Sequence, residues 1–214
     1  SPFQDSLKAI CTSALRARDL VKQILTFSRQ EKNELKLLKI QPIIKEALKL
    51  IRSSIPTTIE IKHDIHADCG VIKADPTQIH QIIMNLTTNA YHAMEKTGGQ
   101  LKVALKEIKF SKYDVIDPDM LPGPYACITV SDTGKGIDKK LTGKIFDPFY
   151  TTKEKGKGTG MGLSVVHGIV ISMNGAIKVN SQPGKGTKFN VYLPVEKTFS
   201  ETQGIKPTAK TQGG

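Results

Sequence analysis

An α+β fold, a two-layer α/β sandwich in which helices cover a mixed and mostly antiparallel sheet, is what this 214-residue sequence predicts. Three observations lead there. The stretch "DPTQIHQIIMNLTTNAYHAM" (75–94) carries its apolar residues at helical spacing. Strand-like runs such as 176–181 and 187–193 are separated by hairpin-length connections. Helices and strands do not alternate strictly, which disfavours a doubly wound parallel sheet.

The elements follow in order. Residues 1–34 read as one long helix: Leu7, Ile10, Ala14, Ala17, Val21, Ile24 and Ser28 recur at steps of three and four. That seam is narrow and suits a helical hairpin or a dimer. After an apolar segment at 35–40, Pro42 opens a helix that runs to Arg52. Strands are predicted at 58–63 and 69–73. Asp75-Pro76 then supplies an N-cap and a first-turn proline for a helix that reaches about Glu95 and stops at Gly98-Gly99. Strands follow at 100–109 and 125–131, with a Pro- and Asp-rich loop between them. An irregular segment covers 132–159, a helix 160–173, and two strands close the domain at 176–181 and 187–193. The division is therefore 1–34, 35–195 and a polar Thr-, Lys- and Gly-rich tail at 196–214, which has nothing to bury.

Composition narrows the function. With 38% apolar and 24% charged residues this is an ordinary globular chain. No apolar run nears the roughly 18 residues that would span a bilayer. Three widely spaced cysteines, Cys11, Cys69 and Cys127, form no C-x-x-C, and a reduced, cytoplasmic setting is expected. The net charge of +11 suits nucleic acid, an anionic surface or a phosphorylated ligand. Aromatic residues are only 6% and the lysines are dispersed, so no nucleic-acid partner is expected.

Three constellations carry chemistry. On the 75–94 helix, Ile79, Ile82, Ile83, Leu86, Ala90 and Ala93 share the core face, while Asn85, Asn89 and His92 line one edge of it. An amide oxygen is a hard neutral ligand, suited to a Mg²⁺ ion that keeps phosphate and water oxygens as its other partners. Solvated amides, or amides tying down a loop, remain an equal alternative. In "SDTGKGI" (131–137), Asp132 can accept a hydrogen bond from an exocyclic amine, and Gly134 and Gly136 let backbone pass close to a flat ligand. In "FDPFYTTKEKGKGTGMGLSVVHG" (146–168), Phe146 and Phe149 are expected to anchor a mobile, lysine-bearing lid. The lid leads into a helix whose first N–H groups favour an anion. No phase of these glycines gives a P-loop or G-x-G-x-x-G, and H-E-x-x-H, G-x-S-x-G and metal-spaced Cys/His clusters are missing.

Taken together and in this order, these elements resemble the ATP-binding domain of sensor histidine kinases, a Bergerat-type fold shared with DNA gyrase, MutL and a heat-shock chaperone. "NLTTNA" is similar to the N box, "DTGKGI" to the first glycine box, "FDPFYTTK" to the F box and "GTGMGL" to the second. The closing "GAIKVNSQPGKGTKFNVYLP" (175–194) is similar to the last two strands, so the resemblance covers about 35–194. It implies ATP and Mg²⁺ as ligands. Asn89, assisted by Asn85, would hold the metal, and His92 would reach the phosphates. Asp132 would bond the adenine amine beside Gly134 and Gly136, with Thr187 in the same network. Gly158, Gly160, Gly162 and Leu163 would form the hinge and floor of the lid, and Lys153 would face the phosphates.

The resemblance also extends to the N-terminal helix. "RARDLVKQILTFSRQ" (16–30) looks like the second helix of the kinases' dimerisation and histidine-phosphotransfer hairpin. Its partner helix, bearing the acceptor histidine, is expected upstream of residue 1. His63-Asp64 imitates the acceptor dipeptide but lies by a predicted strand. The implied partners are that hairpin, a second copy of the protein and a response-regulator receiver domain. Hydrolytic members of the superfamily carry a glutamate one turn before the metal-binding Asn. Asn85 stands there instead and cannot act as a base at neutral pH, which favours phosphoryl transfer over gyrase-like hydrolysis.

Overall fold

The computed structural model describes residues 35–113, 116, 118, 120–151 and 159–196. The expected N-terminal helix and the tail beyond residue 196 lie outside these residues.

The first described strand, β1 (Lys36–Leu38), pairs antiparallel with β3 (Ile72–Ala74) in a two-stranded sheet. Between them come α1 (Gln41–Ser54) and β2 (Ile59–Ile65). Helix α1 runs two residues past the predicted Arg52, and the Arg52 guanidinium donates to the carbonyls of Ile55, Pro56 and Ile59 just beyond its end. Those bonds tie the connection into β2 to the last turn of the helix.

Next come α2 (Pro76–Met94), β4 (Gly99–Phe110), β5 (Gly123–Asp132), α3 (Gly162–Ser172), β6 (Ala176–Gln182) and β7 (Gly186–Pro194). The start of α2 is as the sequence predicts. Asp75 Oδ1 accepts the Thr77 N–H at 2.7 Å, with Pro76 in the first turn. At the other end the Gly98 N–H returns to the Met94 carbonyl at 2.8 Å, with Gly98 at φ 66°.

The main sheet has the order β2-β4-β5-β7-β6. Strand β2 runs parallel to β4, as a crossover through α2 requires, and every other pair is antiparallel. Alternation along the strands sends Leu101, Val103 and Leu105, Ala126, Ile128 and Val130, and Phe189, Val191 and Leu193 toward the helices. There they meet Ile79, Ile82, Ile83, Leu86 and Met94 of α2, all fully buried. Each such side chain taken from water contributes about 2 kcal/mol.

The face of α2 holds one surprise. Thr87 is completely buried, its hydroxyl satisfied by donation to the Ile83 carbonyl at 2.7 Å, whereas Ala93 is only half-buried. The opposite face of the sheet carries a smaller cluster, in which the Phe110 ring meets Tyr125 and Tyr192 edge-on at 5.6 and 5.5 Å. No helix among the described residues is long and apolar enough to cross a membrane.

Candidate functional site

At one end of the sheet, three polar residues form a row on the helix-facing side. Asp132 ends β5 directly opposite Thr187 of β7, and Thr187 lies opposite Ser181 of β6. Asp132 is 8% and Thr187 6% exposed. Asp132 Oδ1 accepts the Gly134 N–H at 2.8 Å. Burial pushes its carboxyl above the ordinary range, and the N–H groups of Gly134 and Thr187 only partly oppose that. A carboxyl buried in a polar row at the end of a sheet is a candidate ligand-reading group.

The second part of the site is the meeting of α2 with the start of α3. Met161, at the N-cap of α3, is itself helical, and its side chain makes no capping hydrogen bond. The first-turn N–H groups and the helix dipole therefore favour an anion. A Cβ placed on Gly162 would lie 3.6 Å from Asn85 Oδ1 and 4.0 Å from Asn89 Nδ2, so both amides border that anion-favouring end. Which end of each amide is oxygen is an assignment from the network. Among the described residues no group of three or more His, Cys, Asp or Glu is placed to hold a metal ion. A cation held here would rest on amide oxygens and on oxygens of the ligand, a donor set that suits Mg²⁺.

The glycines divide by task. Both Gly134 and Gly136 were read as making room for a flat ligand, and the structure gives their missing side chains to the protein itself. A Cβ on Gly134 would strike Ala93 at the end of α2, and one on Gly136, at φ 68°, would strike the Gln182 carbonyl in the β6–β7 turn. Gly160, also at φ 68°, presses on the Phe149 carbonyl. The backbone at residues 149 and 160 thus lies side by side. Leu163 is half-buried and packs on the core.

Of the two phenylalanines expected to anchor the lid, only Phe146 packs on the core. Phe146 is half-buried, its ring 5.2 Å from that of His167 on α3. Phe149 is 74% exposed and holds φ 65°, a conformation that costs a non-glycine residue energy. His92 follows the amides along α2 but lines a pocket between α1 and α2 with Ile55, Met84, Thr88 and Tyr91. Its Nδ1 stands 3.7 Å from Glu95. Lys153 and Gly158 lie outside the described residues. Ser181 was missed: only the register of three strands shows that it joins the Asp132–Thr187 row.

With this geometry in place, the comparisons are specific. Residues 74–197 match the family described as histidine kinase-, DNA gyrase B- and HSP90-like ATPase. The chain belongs to this ATPase family. Its matched stretch runs from the start of α2 to the end of β7 and contains both parts of the site. Among its relatives, the sensor kinase CckA of Brucella abortus is 39% identical over 90% of this chain and 20% of its own length. The sensor histidine kinase ZraS of Escherichia coli K12 is 31% identical over 92% of this chain and 39% of its own. The chain thus spans well under half of the curated relatives it matches. Full-length ShkA, solved in complex with AMPPNP, is similar at a TM-score of 0.64 and 25% identity, over 82% of this chain and 35% of that one.

Proposed function

We propose that this chain is the ATP-binding catalytic portion of a sensor histidine kinase. It binds Mg-ATP and passes the γ-phosphoryl group to a histidine on a helical hairpin, from which an aspartate of a response regulator takes it. The observation that carries this reading is the pair of neutral amides, Asn85 and Asn89, against the first turn of α3. That arrangement can position and neutralise phosphates, and it supplies no carboxylate base at residue 85 to activate water. The kinase names of its relatives support it. So does ShkA, whose structure holds an ATP analogue. A solved complex of the histidine kinase ThkA with the response regulator TrrA supports that kind of partner; at 24% identity it shares the fold, at a TM-score of 0.65 over 87% of this chain and 49% of that one.

Each residue then has a task. Asn89, with Asn85 beside it, offers amide oxygens to Mg²⁺, which when bound neutralises charge on the phosphates. The first turn of α3 from Gly162 receives the phosphate end. Asp132 accepts from the adenine amine with Thr187 alongside. His92 and Lys153 are the further candidates for phosphate contact. The hairpin half at residues 1–34 pairs in a homodimer on the cytoplasmic side.

A thermal-shift titration of the 214-residue chain tests the site. Mg-ATP at a hundredfold excess over Kd should stabilise the wild type by about 2.7 kcal/mol. Asn89→Ala and Asp132→Ala should each abolish the shift while staying folded. A full shift in either variant refutes the assignment.

A further inference from the structure

The proton accounting around Ser181 reaches beyond the site just described. Its Oγ accepts the Ile137 N–H at 2.8 Å. The same oxygen lies 3.0 Å from the Gly186 carbonyl, to which it donates, and 2.9 Å from Thr187 Oγ1. A serine hydroxyl has one proton and two lone pairs. The Gly186 carbonyl has no proton to give, so a bond to it uses the only proton of Ser181. The short contact with Thr187 must then run the other way, with Thr187 donating. Ser181 is saturated by that arrangement: one bond given, two received.

The consequence falls on Thr187. With its proton committed to Ser181, its hydroxyl turns only lone pairs outward, and neighbouring Asp132, when ionised, is an acceptor-only carboxylate. Resting on the ATP reading above, we infer that Ser181 is a positioning residue that sets the base preference of the site by holding the Thr187 hydroxyl as an acceptor. An all-acceptor row complements an exocyclic amine. A base carbonyl at the same place, such as O6 of guanine, meets lone pairs on both sides and is rejected. Removing the Ser181 hydroxyl frees the Thr187 proton to donate toward that carbonyl, so discrimination against guanine falls.

The readout is a ratio, which general loosening of the site does not move because it weakens both nucleotides alike. Calorimetric titrations of the whole chain with Mg-ATP and Mg-GTP should show the wild type preferring ATP. Ser181→Ala should cut that preference about tenfold, and Ser181→Thr, which keeps the hydroxyl, should restore it. In a Thr187→Val background, Ser181→Ala should leave the ratio unchanged. A folded Ser181→Ala protein with the wild-type ratio overturns the inference, even if both affinities drop. Should that variant fail to fold, Ser181→Cys, nearly the same size but a weak donor, carries the same expectation and the same refutation. A wild-type chain that binds neither nucleotide overturns the ATP reading itself, a result distinct from tight ATP binding with an unmoved ratio.

Discussion

Little water reaches the Asp132 carboxyl, and that burial is the chief cause that raises it above its ordinary value of 3.8. Between 3.8 and the raised value the native state holds a proton that the unfolded chain has already lost. Stability therefore falls as pH rises through that window, and above it the full penalty of the buried charge remains. Asp132→Asn removes the charge and keeps an oxygen that can accept the Gly134 N–H. Its unfolding midpoint should exceed that of the wild type at neutral pH, with the advantage shrinking toward acid, as chemical denaturation across that range would show. The same variant should lose its response to Mg-ATP. A midpoint below that of the wild type at neutral pH would show that the charge is compensated in the free protein. Wild-type affinity for ATP should itself weaken as pH falls through the raised value, because a protonated carboxyl gives up an acceptor.

Elements here are held together by absences of side chain as much as by their presence. The loop after β5 and the β6–β7 turn interlock: the Gly184 N–H donates to the Lys135 carbonyl at 2.8 Å, and Gly136 lies on the Gln182 carbonyl. An alanine at Gly136 has both φ 68° and that carbonyl against it. Gly168, inside α3, has nothing within 4 Å of where its Cβ would stand. Urea denaturation should therefore give opposite signs: Gly136→Ala destabilises by about 3 kcal/mol, and Gly168→Ala stabilises by about 1 kcal/mol. These two glycines also mark how far the sequence can be read. Helix α2 was legible from end to end because its signals are local: the Asp75-Pro76 cap, isoleucines at helical spacing, the Gly98-Gly99 stop. The residues of the site were legible as types in order. Their physical reasons were not, where they depend on partners far away in the chain. Gly136 answers to Gln182, Gly134 to Ala93, and Ser181 enters only through the register of β6 on β7. Phe149 misled for a related reason: an aromatic in a loop reads as an anchor until its left-handed backbone and exposure are seen.

Across the whole molecule, the helix layer and the ends of β5, β6 and β7 place the amides, the start of α3 and the Asp132–Thr187–Ser181 row in one region of the fold. On the proposed reading that region binds a phosphorylated ligand, with the neutral amide of Asn85 where a carboxylate base would turn water into a nucleophile. The nucleophile must then come from outside this arrangement, and a neutral imidazole on a docked helix brings its own lone pair. In-line transfer from a held γ-phosphoryl needs little more than position and charge neutralisation. Incubating the chain with Mg-ATP and a separately produced histidine-bearing hairpin should yield acid-labile phosphohistidine on the hairpin, with negligible label on the chain itself. Asn89→Ala should reduce that transfer at least about a hundredfold, as loss of a group that neutralises developing charge does elsewhere. Inorganic phosphate released as fast without the hairpin as phosphohistidine forms with it would instead place this protein with the hydrolytic members of its family. Asn85 would then need a base supplied from another element.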